Sequence, residues 1–180
     1  MTTAANSNFI YAWNTFRCVD GPCSLFVTEI EYTLLDQYGN TVRAVSKLVD
    51  HSDTTLSIRD FSPSLAIAPN GSIGVAWYRR LYNTSTFQYN HNIYFATLDS
   101  AGNLTSGPTN ITNNAAWGSF SSLQLYNPTI AATDDNRFIL SWEKYISAPY
   151  SRNIWYATRN SAGGSIFPPT ALTSDDGSYT

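Results

Sequence analysis

The sequence predicts an all-β chain built from three copies of one four-stranded unit, and three observations carry that expectation. The first is a spaced repeat: the tryptophans at 13, 77 and 142 fall 64 and then 65 residues apart. The second is shared phrasing around them. Pro63-Ser64-Leu65-Ala66-Ile67 is answered by Pro128-Thr129-Ile130-Ala131-Ala132, and Asn92-Ile93-Tyr94-Phe95-Ala96-Thr97 by Asn153-Ile154-Trp155-Tyr156-Ala157-Thr158. Upstream, Phe9-Ile10-Tyr11-Ala12-Trp13 answers Ile73-Gly74-Val75-Ala76-Trp77 more loosely. The third is the absence of any helical apolar period, together with Gly, Asn and Asp turns at short intervals. A fixed internal period signals a repeat architecture.

The first copy covers about 1–60. Its opening strand is reduced to Met1-Thr2-Thr3-Ala4-Ala5, and further strands are expected at 9–13, 25–35 and 41–48, with Asp36-Gln37-Tyr38-Gly39-Asn40 as a hairpin turn. The second, about 61–125, has strands at 65–68, 73–78 and 92–98 and a weak one at 109–112. Its Asn70-Gly71 is a strong hairpin signal. The third, about 126–180, has strands at 129–133, 138–143, 153–159 and 169–173. The whole chain reads as one domain of three units.

Four antiparallel strands with a recurring aromatic position describe a β-propeller blade. The phrasing Pro-x-apolar-Ala, then apolar-x-Trp, then Ile-Tyr-x-Ala, then Asp-x-x-Gly-Asn resembles the blades of bacterial sialidase-like propellers, although the Ser-x-Asp-x-Gly-x-Thr-Trp box of sialidases is absent. Three blades do not close a ring, since propellers have about four to eight. A homodimer making six blades is the expected assembly, with nine blades from a trimer as the less favoured closure and a fragment of a larger propeller as a further alternative. Met1 opens inside a first strand, and the chain stops where a connector to a next blade would start.

Composition narrows the function classes. Charged residues make up 13%, about half the ~25% of an ordinary soluble domain, and aromatics 14%. A net charge of −3 offers no basic footprint for nucleic acid. No apolar run has the roughly 18 residues of a membrane helix. Abundant Asn, Ser, Thr and aromatics suit a secreted or surface β protein. Cys18 and Cys23, the two cysteines, flank Val19-Asp20-Gly21-Pro22, turn chemistry that can bring them within bridging distance, so a disulfide is expected. No metal site is expected, because neither His51 nor His91 is near the cysteines. No cofactor motif is present.

Blade geometry would put the tight turns on one end and the long segments 14–24, 79–91, 144–152, 49–62 and 114–127 on the other. Long loops on a rigid scaffold are where binding usually resides. Each repeat tryptophan is followed by a base: Arg17, Arg79 with Arg80, and Lys144. With Tyr82, Tyr150 and Arg152 these form the candidate ligand set, because rings stack on sugar faces while guanidinium groups hold hydroxyls or carboxylates. The sialidase resemblance implies a carboxylate held by arginines, here Arg17, Arg79, Arg80 and Arg152. The plainer reading is that these bases solvate a rim. Trp13, Trp77 and Trp142 are expected to be structural, filling the space between blades.

No catalytic set is assigned. Glu29, Glu31 and Glu143 are the glutamates, and a glycosidase needs two carboxyls set across a substrate. The expected function is therefore a non-catalytic module binding glycan or protein. A sialidase-like hydrolase and a structural fragment without a ligand are the alternatives.

Overall fold

A computed structural model describes residues 2–3, 8–19, 26–51, 56–119, 123–147 and 150–174. The described residues form twelve strands and no helix. They are β1 (Thr2–Thr3), β2 (Phe9–Cys18), β3 (Phe26–Leu35), β4 (Thr41–Lys47), β5 (Leu56–Ile67), β6 (Ile73–Asn83), β7 (Gln88–Leu98), β8 (Leu104–Asn110), β9 (Leu123–Ala132), β10 (Arg137–Ser147), β11 (Tyr150–Asn160) and β12 (Ser165–Ala171). The all-β expectation is met.

The strands make two sheets. One runs β1-β2-β3-β5-β6-β7-β8 with β4 also on β3; the other runs β12-β11-β10-β9. All pairings are antiparallel between chain neighbours except one: β3 and β5 touch in parallel at Thr28 and Arg59 alone. That single bridge joins two antiparallel meanders into the larger sheet.

The three meanders share their turns and staples. Asp36 Oδ1 accepts the N–H groups of Tyr38 and Asn40, Asp99 Oδ1 those of Ala101 and Asn103, and Asn160 Oδ1 those of Ala162 and Gly164. The glycine in each, Gly39, Gly102 or Gly163, has φ of +86°, +82° or +85°, which a Cβ would disfavour. After each outer strand the chain is pinned back on the third strand: Leu48, Ile111 and Leu172 donate to the carbonyls of Ile30, Ile93 and Ile154. One residue before those isoleucines stand Glu29, Asn92 and Asn153. Glu29 Oε1 accepts from His51 N–H and Asn92 Oδ1 from Asn114 N–H, so carboxylate and amide do the same work at equivalent places.

Two apolar layers hold the meanders face to face. Side chains alternate along a strand, so β6 sends Ile73, Val75 and Trp77 one way and Ala76 and Tyr78 the other. The first set packs with Ile10, Ile30, Tyr32, Leu34, Leu48 and Val49. The second packs with Leu125, Phe138, Leu140, Trp142 and Ala157. Gly74 lies where the second layer is tightest: a Cβ there would stand 2.8 Å from both Ile130 Cδ1 and Phe138 Cδ1. Trp77 and Trp142 are 0% and 2% exposed, the core role expected of them, whereas Trp13 is only half-buried. The β2 face that carries Trp13, with Phe9 and Tyr11, has no described sheet against it.

The expected strand limits need correction. Segments 14–18, 79–83, 88–91, 144–147 and 150–152 are paired strand, not loop, so the connection from β6 to β7 is only 84–87. Half of the 49–62 connector is β5. The outer strands β8 and β12 begin at Leu104 and Ser165, earlier than expected. Several of the misread residues are polar or cationic, and among them Arg17 and Arg79 are held by ion pairs and Arg80 lies among rings.

Candidate functional site

The long hairpin arms place charge on both sides of the central meander. On the side facing β2–β4, Asp60 of β5 is fully buried. Arg79 on the neighbouring strand donates to it twice, Nε to Oδ1 at 2.7 Å and Nη2 to Oδ2 at 2.8 Å. His51 Nε2 reaches Oδ2 at 2.7 Å. The Arg79 guanidinium also lies 4.1 Å over the Tyr94 ring. Burial works against its charge, but Asp60 outweighs this and raises its pKa.

A second carboxylate, Glu29, is 2% exposed at its side chain and takes Arg17 at 2.8 Å and Lys47 at 2.9 Å. Burial opposes its ionisation, yet the hydrogen bonds from Arg17, Lys47 and His51 N–H hold its pKa down at about 2. Arg17 also donates to the His51 carbonyl. Arg17 and Arg79, two of the candidate ligand residues, thus have carboxylates of this chain as partners.

The other side of the same arms is different. Arg80 is the strand neighbour of Arg79 and so points the opposite way. It pairs directly with Arg59 on β5 and with His91 on β7. Two guanidinium groups therefore stand opposite each other across an antiparallel pair, an arrangement that costs stability unless a ligand or ring compensates it. Aromatic rings surround them. Arg59 lies 3.6 Å over Phe26, and Arg80 lies 5.4 Å from Phe61 and 5.7 Å from Tyr89. Tyr82 and Tyr89 stack at 4.6 Å. Arg59 has no ion pair among the described residues, and its buried Nε has no hydrogen-bond partner there. Burial, then Arg80, lowers its pKa.

Beneath the arginines, Tyr78 and His91 make a buried floor. Burial raises the Tyr78 pKa, so the hydroxyl keeps its proton, and it is hydrogen-bonded to His91 Nδ1 at 2.6 Å. Burial, and then Arg80, lowers the His91 pKa to about 4, leaving the imidazole neutral at pH 7. Tyr126 on β9 continues this floor, 6.2 Å from Tyr78 between ring centres, and opens onto a cleft of about 320 Å³ lined by Gln124, Tyr126, Tyr145, Tyr150 and Arg152. Tyr145 and Tyr150 meet edge to face at 5.4 Å. Arg152, more than half exposed, pairs with Glu143. Asn127 and then, against burial, Arg152 hold the Glu143 pKa below its ordinary value.

The structure therefore divides the candidate set. Arg80, Tyr82, Tyr150 and Arg152 fall along one basic, aromatic surface. Arg17 and Arg79 serve the first interface. Lys144 faces neither: its ammonium lies 4.3 Å over Trp155. Arg59, His91 and Tyr126 belong to the surface but were not anticipated. Finding them requires knowing that 56–62 is a strand, after which Arg59 falls opposite Arg80. The expected Cys18–Cys23 bridge involves Cys23, which lies outside the described residues. Among the described residues no group of three His, Cys, Asp or Glu side chains could hold a metal ion.

No family model matches the chain, and no curated protein matches it. Among solved structures it is similar to the endo-arabinase from Bacteroides thetaiotaomicron VPI-5482, with 20% identity over 93% of this chain and 59% of that one, at a TM-score of 0.48. It is also similar to the Penicillium chrysogenum alpha-L-arabinanase complexed with arabinobiose, with 11% identity over 84% of this chain and 42% of that one, at a TM-score of 0.47. The chain thus spans about half the length of these enzymes, and at these scores neither likeness bears on what it binds.

Proposed function

We propose that the chain is a non-catalytic glycan-binding module whose site is the surface running from Arg59 and Arg80 across Tyr126 to Tyr150 and Arg152, and that its ligands carry acidic groups. The observation that supports this most is the Arg59–Arg80 pair. Arg59 stands there among rings with no ion pair among the described residues, which invites an anion, and the adjoining tyrosines offer flat faces for sugar stacking. A hydrolase needs a carboxyl that can donate a proton. Glu29 and Glu143 are instead held ionised by their cationic partners.

The test is calorimetry with acidic oligosaccharides and neutral ones of equal length. Acidic ligands are expected to saturate, and Arg80→Ala or Tyr150→Ala to weaken them by about tenfold or more, the range of one charged hydrogen bond or one stacked ring. Affinity unchanged in both variants sinks the assignment, as does absence of any saturable binding. Turnover of a fluorogenic glycoside would sink its non-catalytic part.

The three meanders are read as three blades, and two copies of the chain as a six-bladed ring. What supports this is the contrast between Trp77 and Trp142, both buried against a neighbouring meander, and half-buried Trp13 at the equivalent position. The opposite end of the stack offers a counterpart surface on β10, where Ile139 is 41% exposed. Head-to-tail pairing of two copies would cover both. Sedimentation at about twice the 19.9 kDa of one chain supports the ring, and a mass of one chain sinks it. A secreted location with Cys18 bridged to Cys23 completes the reading; a free-thiol count on the unreduced protein tests it.

A further inference from the structure

The two interfaces of the central meander are equivalent position by position, and one lacks a component that the other has. In the first, Trp77 pairs with Tyr94 across the strands, Arg79 lies over Tyr94, Asp60 is the direct partner of Arg79, and His51 comes three residues after the pinned Leu48. In the second, Trp142 pairs with Trp155, Lys144 lies over Trp155, Leu125 is the direct partner of Lys144, and Asn114 comes three residues after the pinned Ile111. Cation, ring and connector are all retained. The carboxylate is replaced by an aliphatic side chain.

Leu125 fills the position of Asp60, and a cavity lies beside it. A cavity of about 140 Å³ opens at this place, lined by Leu125, Trp142, Lys144, Trp155, Pro169 and Asn114 among others. Lys144 has no ion pair among the described residues. The indole N–H of Trp142 is buried without a partner, but so is that of Trp77, so that feature belongs to the repeat and does not distinguish this interface. What distinguishes it is a cation with a cavity beside it and no carboxylate opposite, whereas its counterpart has a buried carboxylate.

We propose that this cavity binds a small ring-bearing monocarboxylate, its carboxylate paired with Lys144 as Asp60 is paired with Arg79 in the other interface. The size suits one six-membered ring, since a cavity of about 150 Å³ admits benzene. Trp155, Pro169 and Leu125 supply flat and apolar walls for the ring. Lys144 supplies one charge-assisted hydrogen bond, so selectivity for acid over neutral ring follows. Two sources share that chemistry, an aromatic acid and a sugar acid. The site is separate from the arginine–tyrosine surface and does not depend on its assignment.

The experiment is titration of the full chain with benzoate and with glucuronate, followed by calorimetry and by the indole resonances of Trp142 and Trp155, with benzamide and glucose as neutral controls. Saturable binding near the millimolar range is expected for at least one acid, with the neutral partner and Lys144→Met each weaker by about tenfold or more. Benzoate alone saturating assigns an aromatic acid, and glucuronate alone a sugar acid. Leu125→Asp restores the missing carboxylate and is expected to abolish binding; should that variant not fold, Lys144→Met carries the test. Failure of both acids to saturate overturns the proposal. So does binding by Lys144→Met equal to that of the unaltered chain.

Discussion

Asp60 and Arg79 face each other across β5 and β6 in a two-point ion pair, buried between the first and second meanders, with the carboxylate fully enclosed and the guanidinium side chain 12% exposed. Desolvating such a pair costs nearly what its attraction returns, but removing one partner strands the other charge. Asp60→Ala is therefore expected to destabilise the fold by about 3–5 kcal/mol. The double variant Asp60→Leu, Arg79→Met replaces both charges by apolar volume and should recover most of that loss. Urea midpoints of the three proteins check this. A double variant as unstable as the single one would show that packing, not charge, is what Asp60 contributes.

Acid should unfold the protein in two windows with different owners. The folded-state pKa of His91 lies near 4, below the ordinary 6.5, because burial and Arg80 oppose its protonation. Between those values the unfolded chain takes up a proton that the folded one refuses. Stability is then complete above pH 6.5 and falls towards pH 4, with a slope of at most about 1.4 kcal/mol per pH unit. Glu29 is held near 2 against an ordinary 4.5, so its contribution is present above 4.5 and is lost as pH falls towards 2. His91→Gln should flatten the upper window alone, and Glu29→Gln the lower one alone. Thermal melting across pH 3–8 reads both, and an unchanged upper slope in His91→Gln would remove His91 from the explanation.

Gly74 lets β6 approach the third meander, and no turn geometry is involved. A methyl at that position would meet the Ile130 side chain and the Phe138 ring at 2.8 Å, and neither can move freely inside a filled layer. Gly74→Ala should cost about 1–3 kcal/mol through overpacking, despite the better backbone preference of alanine. Gly74→Ala with Ile130→Val makes room and should recover part of it. Equal stability of Gly74→Ala and the unaltered chain in chemical denaturation would contradict the tight packing.

What could be read in advance follows from which forces leave a pattern in one dimension. Turns such as Asp36–Asn40 and Asn70-Gly71 are local, so their residues appear side by side, and the structure has them as expected. The buried tryptophans recur with the repeat and were equally legible at 77 and 142. Trp13 shares the motif but not the burial, because burial depends on a neighbouring sheet that the motif does not encode. The hairpin arms were misread as loops. Arg79-Arg80-Leu81-Tyr82 has no aliphatic alternation, yet it is strand, with Arg79 against Asp60 on one side and Arg80 among rings on the other. Arg59 was invisible for a related reason: its meaning comes from standing opposite Arg80, which only the pairing of β5 with β6 creates.

That opposition leads to a prediction in which stability and binding move in opposite directions. Arg59 is half-buried, stands directly across from Arg80, and has its pKa lowered by burial and by that neighbour. Arg59→Met keeps the length that covers Phe26 and removes the repulsion. Like charges directly opposite on a sheet cost roughly 0.2–1 kcal/mol, so the variant should be more stable by that amount. A purely structural arginine would do the reverse, because losing its contact with Phe26, 3.6 Å away, would lower the melting temperature. If the pair exists to hold an anion, the same substitution should also weaken acidic oligosaccharides by about tenfold while leaving neutral ones unaffected. Melting temperature and calorimetric affinity measured on one preparation decide between the two, and a variant that loses stability and keeps its affinity would make Arg59 a packing residue.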